Sequence, residues 1–362
     1  MIFQIEKLPS VKDLSVANKT VLLRTNYDVP LLRQPADQGK PLIADTSRID
    51  ESLPTINYLL EQKAKLIILS HLGRPEGKIN QDLSLKPVAQ YLSGLLKREI
   101  PLFLRIEEVD KNQPMVMLEN LRFWPEEEKN DLSFAKNLAN LGDFFVNEAF
   151  ACSHRQHASI VGLPQFLLSG FGLDFLKEIE VLSEIRENPR RPVTLILGGA
   201  KKDKLEIVGK LLNWADNILI GGKLPELITN YQINQLPIKN SGKLIIASLK
   251  EDGKDITLES INKFKEIIRL SGTILWAGPM GVFEEPGSKE GTRQIAQAVS
   301  ESQAFKVVGG GDTEAALTKF NLESKINFIV KQQTMFISSG GGAMFEFLAK
   351  GTLSGIEAIE QK

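Results

Sequence analysis

The chain has 362 residues, 42% hydrophobic and 25% charged, which gives room for two domains and lies well outside the low-hydrophobicity, high-charge corner where disorder is found. Forty-four Lys and Arg against 45 Asp and Glu leave a formal charge of -1, so no whole-molecule field draws the chain to nucleic acid or an anionic membrane, and any anion site must be local. The single cysteine, Cys152, excludes an internal disulfide framework and zinc sites built on several thiolates, and three His in all make a metal-imidazole cluster unexpected.

The opening residues MIFQIEKLPS carry neither a basic segment followed by an apolar one nor an Arg-rich amphipathic stretch. No run approaches the roughly 18 apolar residues of a membrane span, so the expectation is a soluble, cytoplasmic protein. Short Val, Ile and Leu runs alternate along the chain with segments of helical spacing, the pattern of parallel βαβ units. In chain order the spacing predicts strands at Thr20–Leu23, Lys65–Leu69, Met115–Leu118 and Phe144–Val146. A second series is predicted at Val193–Leu197, Asn217–Ile220, Thr273–Trp276, Lys306–Val308, Asn327–Val330 and Thr334–Ile337. Helices are predicted at Leu53–Lys63, Lys86–Lys97 and Gly291–Ser300.

Between the two series, Phe175, Leu176, Ile179, Leu182 and Ile185 recur at steps of three and four, an amphipathic helix over Asp174–Glu187 stopped by Asn-Pro-Arg-Arg-Pro. The fold class read from this pattern is α/β, two parallel-sheet domains whose strand-end loops face a central cleft, joined by a hinge helix. The expected division is residues 1–173, a linking helix over 174–187, and residues 188–350.

The strand-end loops of the two halves differ in chemistry. In the first half they carry cations: Arg24 in LRTNYDVP, His71 and Arg74 in SHLGRP, Arg122 in ENLRF, Arg155 in NEAFACSHR, with Arg48 in ADTSRID. Carboxyl ends of parallel strands share one edge, so side chains far apart in sequence can converge into a polyanion pocket, and the arginine fork suits phosphate and carboxylate. In the second half the loops carry glycine: LGGAKKDK, IGGK, WAGPMG, VGGGDT and SSGGGA. Glycine lets backbone amides approach a phosphate closely, although strand-to-helix turns also use it for purely steric reasons. Lys201 and Lys204 can neutralise phosphates, and Asp312 suits either a helix start or Mg²⁺ beside a polyphosphate.

No G-x-x-x-x-G-K-[ST], G-x-G-x-x-G, H-R-D with D-F-G, or G-x-S-x-G occurs, which argues against Walker-type NTPases, dinucleotide-binding dehydrogenases, protein kinases and α/β-hydrolases. Cys152, His154 and His157 lie within six residues, with Cys152 and His154 expected on one face of an extended segment. They lack a third residue to orient the base and enough ligands for zinc, so Cys152 reads as a packing residue.

Taken together and in order, LRTNYDVP, SHLGRP, LENLRF, FVNEAF with SHRQHAS, GGAK, GPMGVFE, VVGGGDT and SGGGA resemble the phosphoglycerate kinase family over essentially the whole chain. The resemblance implies two Rossmann-like domains, the first binding 3-phosphoglycerate or 1,3-bisphosphoglycerate and the second Mg-ADP or Mg-ATP. It also implies a tail over residues 351–362 that packs back on the first domain, and a monomeric kinase of glycolysis and gluconeogenesis with no nucleic-acid or membrane partner. Its substrate residues fall on Arg24, Asn26, Tyr27, Asp28, Arg48, His71, Leu72, Gly73, Arg74, Arg122 and Arg155. Its nucleotide residues fall on Gly199, Lys201, Lys204, Gly222, Gly278, Glu284 as ribose partner, Gly310, Gly311, Asp312 and Thr313, with Asp312 toward Mg²⁺. Arg48 and Lys201 are the implied catalytic pair, and domain closure is expected to precede chemistry.

The chain departs from the family pattern at several points. Asn26-Tyr27-Asp28 stands where Asp-Phe-Asn is usual, the stretch between Lys201 and Lys204 is one residue short, and IGGK continues as LPEL. Ala277 replaces an asparagine and Ser339 a threonine. The rival reading is a catalytically silent member of the fold that binds anions or nucleotide, and a third is an acyl-phosphate kinase for another small carboxylate.

Overall fold

The computed structural model describes residues 7–32, 42–201, 203–230, 242–322 and 335–360. The chain divides into two compact units, one running to Glu180 and taking up the chain again from Thr352, the other spanning Val181–Gly351. The division falls inside the 15-residue helix Leu173–Glu187.

The first unit holds β1 (Thr20–Arg24), a two-residue hairpin of β2 (Leu31–Leu32) and β3 (Leu42–Ile43), then β4 (Lys65–Leu69), β5 (Leu102–Phe103), β6 (Met115–Leu118), β7 (Phe144–Asn147) and β8 (Leu168–Phe171). The second holds β9 (Val193–Leu197), β10 (Asn217–Ile220), β11 (Leu244–Ile246), β12 (Thr273–Ala277), β13 (Phe305–Gly309) and β14 (Met335–Ser338). Each unit builds a six-stranded, all-parallel sheet, in the orders β5-β6-β4-β1-β7-β8 and β11-β10-β9-β12-β13-β14. Strands of such sheets are covered on both faces and so read as continuous apolar runs, which is why the inner strands are visible in the sequence. β4, β6, β9 and β12 are buried almost throughout.

The edge strands β5, β8 and β11 are absent from the sequence expectation for a physical reason. β5 has two residues and β11 three, and β8 reads Leu-Ser-Gly-Phe, with too few β-branched residues to signal a strand. The expected strand Asn327–Val330 lies outside the described residues. In the first unit, Val21, Leu23, Leu66, Ile68, Met115 and Met117 pack with Ile56 and Leu59 of the helix Leu53–Glu61 and Val88 and Leu92 of the helix Lys86–Leu96. In the second, Ile196, Ile274, Trp276 and Val308 meet Phe264 and Ile268 of the helix Leu258–Leu270 and Ile295 and Val299 of the helix Glu290–Glu301.

The helix Leu173–Glu187 starts where its orphan N–H groups find acceptors. Leu173 donates to Thr55 Oγ1 at 2.8 Å, and Asp174 and Phe175 both donate to the Glu148 carboxyl at 3.2 Å. The last described helix, Ser354–Glu360, belongs to the first unit, where the Gly355 amide donates to the Ser153 carbonyl at 2.8 Å and Ile356 and Ile359 are buried. Among the described residues no helix is long and apolar enough to cross a membrane.

Candidate active site

In each sheet the chain starts centrally and then builds outward on both sides, so the strand order reverses between β1 and β7 in one and between β9 and β12 in the other. Loops leaving the carboxyl ends of strands at such a point are where open sheets bind ligands.

At the first reversal Arg24 ends β1, paired in register with Leu69 of β4 and Asn147 of β7. Its side chain is fully buried. Nε donates to Ser159 Oγ at 2.7 Å, Nη1 donates to the carbonyl of Thr25, and Nη2 lies 3.2 Å from His71 Nδ1. Arg122 stands on the short turn after β6, where Asn120 caps the turn through Arg122 N–H and donates to the carbonyls of Leu72 and Leu83. Arg122 Nη1 donates to Gly73 O at 2.7 Å, while Nε has no hydrogen bond and faces Glu128 at 3.3 Å. Arg155 follows β7, its Nε directed at His154 Nε2 at 3.4 Å.

These cations feel one another. Burial, then Arg122, Arg24 and Arg155, hold the His71 imidazole well below its usual range, and the same causes, burial first, bring His157 down to about 3. Burial and then Arg155 lower Arg122 as well. Both imidazoles are therefore neutral at pH 7, and the positive charge of the cluster resides on arginines. Asn26 Nδ2 and His157 Nδ1 are buried without a hydrogen-bond partner. Buried polar atoms are nearly always paired, so a pocket with unpaired polar groups among arginines has the chemistry of an anion site.

The rest of the expected substrate set divides. Asp28 is half-buried and accepts the Gly73 amide at 2.8 Å, while its own carbonyl accepts from Arg48 Nη1, so the loop after β1 and the short helix Ser47–Asp50 are tied together. Tyr27 between them points the other way: its side chain is fully buried in the core, its hydroxyl lies 2.8 Å from Ser52 Oγ, and burial pushes its ionisation up. Alternation along an extended segment puts Asn26 and Asp28 on the side opposite the buried Tyr27 ring. Leu72 is buried in the core and Arg74 is exposed. Cys152 closes a 3-10 turn, Phe150–Cys152, rather than an extended run, and packs with Ala149 and Ile160, so its thiol shares no strand face with His154.

At the second reversal the glycine loops are stitched to each other. Gly199 donates to Pro279 O at 2.8 Å, Gly222 to Met280 O at 3.2 Å, Lys223 to Gly199 O at 2.9 Å and Gly198 to Ala277 O at 3.0 Å. Gly222 and Gly278 have φ of 60° and 98°, and a Cβ on either would strike the backbone of the neighbouring loop. Their steric role thus accounts for the glycines at 222 and 278. Lys204 Nζ donates to Gly198 O at 2.8 Å and Ala277 O at 3.0 Å, binding β9 to β12, while Lys201 is exposed. Thr313 is fully buried, accepting Gly278 N–H at 2.7 Å and donating to Gly309 O at 3.1 Å.

What faces solvent there is the start of the helix Gly311–Lys319, with Gly310 at φ 96° before it and Gly311 and Asp312 exposed in its first turn. Free N–H groups and the helix dipole at such a start favour a phosphate. Glu284 is exposed too, its carbonyl and that of Phe283 accepting from Lys319 Nζ at 3.3 and 3.0 Å.

The family model described as Phosphoglycerate kinase matches residues 11–242 and 239–351. The chain belongs to the phosphoglycerate kinase family. It is 38% identical to the phosphoglycerate kinase of Finegoldia magna, over 98% of this chain and 99% of the relative, and 37% identical to that of Borreliella afzelii, over 98% and 100%. Among solved structures, phosphoglycerate kinase from Coxiella burnetii superposes with a TM-score of 0.74 at 33% identity, covering 98% of this chain and 99% of that one. The Pyrococcus horikoshii enzyme gives 0.77 at 28% identity, covering 97% and 98%. Both are matched along their length by the two parallel-sheet units described above, and the activity that goes with phosphoglycerate kinase is that of a phosphotransferase in glycolysis, with a nucleotide as one substrate.

Sequence reading left out Glu127 and Ser159. Glu127 sits in an acidic run, Glu126-Glu127-Glu128, that looks like a solvated helix start, and only burial in the fold distinguishes the middle residue.

Proposed function

We propose that this chain transfers a phosphoryl group reversibly between 1,3-bisphosphoglycerate and ADP, with the phosphoglycerate held by the arginine pocket of the first unit and the nucleotide by the loops of the second. The observation that supports this most is the gathering of Arg24, Arg122 and Arg155 around neutral imidazoles and unpartnered buried polar groups. Such a pocket suits the phosphate and carboxylate of a three-carbon acid, and Asn26 with Asp28 would orient it.

The acceptor needs no general base. A carboxylate is ionised at pH 7, so its oxygen attacks the γ-phosphorus directly while the bond from that phosphorus to the bridging oxygen of ADP breaks. Position and charge are what the protein contributes. Arg48 and Lys201 are the proposed partners of the phosphoryl group in transit, and Lys204 and Gly311 line the nucleotide side. The reaction also needs water kept away from the acyl phosphate, which it would hydrolyse.

Asp312 fits Mg²⁺ by donor chemistry: it offers one exposed carboxylate, and Mg²⁺ is usually held by one or two carboxylates plus phosphate oxygens and water. Among the described residues no group of three or more His, Cys, Asp or Glu could hold a metal ion. When bound, the ion screens the polyphosphate charge. We place the protein in the cytoplasm as a monomer. A coupled assay with 3-phosphoglycerate and ATP, repeated with GTP, tests the reading: turnover dependent on both substrates is expected, and its absence refutes the assignment.

A further inference from the structure

The arginine pocket contains one fully buried acid. Glu127, in the short helix Pro125–Glu128, accepts the Ser159 amide on Oε2 at 2.9 Å and the Ser159 hydroxyl on Oε1 at 2.5 Å. That hydroxyl in turn accepts Arg24 Nε at 2.7 Å, and Glu127 Oε1 lies 3.8 Å from Arg24 Nη2 and 3.9 Å from His157 Nδ1. Arg24, Glu127 and Ser159 are all completely inaccessible to solvent.

Resting on the functional reading above, we infer that Glu127 is a positioning residue for phosphoglycerate binding, acting through Ser159 and Arg24 without touching the substrate. Two physical effects of this carboxylate oppose each other. As a negative charge beside an anion site it weakens anion binding by simple Coulomb repulsion. As an acceptor it does the reverse, because it fixes the direction of Arg24 and pins the π-helical turn Ala158–Gly162 next to His157.

Geometry decides between them. Ser159 Oγ has one hydrogen, and that hydrogen points at Glu127, which leaves the hydroxyl lone pairs for Arg24. A glutamine in place of Glu127 keeps one acceptor oxygen and adds an NH₂ group. It can satisfy the Ser159 amide or the Ser159 hydroxyl as before, but not both, and its donors confront either Ser159 or Arg24. The guanidinium then keeps the Thr25 carbonyl but loses the carboxylate beside Nη2 and a fixed Ser159 acceptor at Nε, so its Nη2 is held less firmly on the His71 side of the pocket. Loss of direction in a buried arginine costs more than the removed repulsion returns, because a buried charge without its partner is strongly unfavourable.

The expected signature is a split in the kinetics. Glu127→Gln should raise the KM for 3-phosphoglycerate by about tenfold or more while the KM for ATP stays within about twofold, as removal of a binding interaction on one side of the site requires. Glu127→Asp, which keeps the charge on a shorter arm, should recover part of the loss. Ser159→Ala removes the relay itself and should move the same KM in the same direction, so it tests the inference if the Gln variant does not fold. A merely structural role would lower the active fraction, and with it kcat, and leave KM where it was.

An unchanged or lowered KM for 3-phosphoglycerate in folded Glu127→Gln, or in Ser159→Ala, overturns the inference. Should the wild-type chain show no turnover with 3-phosphoglycerate and ATP, the functional reading falls separately. Titration with inorganic phosphate then decides the role of Glu127: weaker binding in the Gln variant supports it, and equal or tighter binding refutes it.

Discussion

Replacing Glu148 by glutamine should change the pH dependence of stability in a direction and size that follow from its surroundings. Glu148 is almost completely buried, and burial raises its carboxyl from the ordinary 4.5 to about 8, against the lowering effect of hydrogen bonds from Thr55 and the amides of Phe175 and Asp174. Between those two values the folded chain holds a proton that the unfolded chain has released. A group with a raised folded pKa contributes stability that is fully present below the unfolded value and is lost as pH rises through the folded one. The gap from 4.5 to about 8 corresponds to about 5 kcal/mol across that window.

The glutamine side chain cannot titrate, so the difference in stability between wild type and Glu148→Gln should shift by about that amount from pH 4.5 to 9, whatever constant offset the lost acceptor introduces. The first unit must be followed by itself, because a two-domain chain has no single unfolding free energy. Trp124, packed near Phe134 with ring centroids 6.1 Å apart, supplies the probe: ¹⁹F NMR of fluorotryptophan-labelled protein resolves it from Trp214 and Trp276 during urea unfolding. A flat difference curve would show that the helix start and its hydrogen bonds outweigh burial, and the argument from desolvation would fail.

Asp312→Ala should reduce Mg-nucleotide-dependent turnover by about a hundredfold and leave calorimetric binding of 3-phosphoglycerate, measured without nucleotide, unchanged; a collapse of that binding refutes the division of labour. Thr313→Val leaves the buried Gly278 amide without its acceptor and should cost about 1 to 3 kcal/mol, read as a fall in the melting temperature of the second unit. Cys152→Ser should retain activity within about twofold, and a covalent adduct on the wild-type thiol during turnover would contradict its assignment to packing. Asn26→Asp turns a buried donor into an acceptor beside the ligand and should raise the 3-phosphoglycerate KM by about 10- to 100-fold, with partial recovery on adding Asp28→Asn; additive effects would separate the two positions.

The inner strands and the loops at their ends were legible in the sequence because a strand buried on both faces must be apolar, and the residue where the apolar run stops stands out. Arg24 after Thr-Val-Leu-Leu and Gly198 after Val-Thr-Leu-Ile-Leu mark those ends. The edge strands β5, β8 and β11 carried no such mark, whereas β14 at the other edge of the second sheet was anticipated at Thr334–Ile337. Which way a side chain points was legible only in part: Asn26 and Asp28 could be paired by alternation, but that Tyr27 belongs to the core depends on Ser52 from a helix beyond. The glycine loops were ambiguous in principle, since contact between loops and contact with phosphate require the same residue. Three-dimensional contact assigned Gly222 and Gly278 to the former. Glu127 was hidden by its neighbours, because an acidic triplet looks solvated until one member is found next to a buried arginine from 103 positions earlier.

The chain path has a consequence for biosynthesis. The first unit is opened by the first described residues and completed only by the helix Ser354–Glu360, whereas the second unit is continuous. A ribosome therefore finishes the later unit while the earlier one still lacks the helix that buries Ile356 and Ile359 and caps the Ser153 carbonyl. Translation that stops at Gly351 yields one whole unit and one with a gap beside Ile160, so a protease should cleave the first unit of such a chain and spare the second. Closure of the arginine-bearing unit thus waits on Ser354–Glu360, and a product cut short at Gly351 is marked for removal by its own unfilled surface.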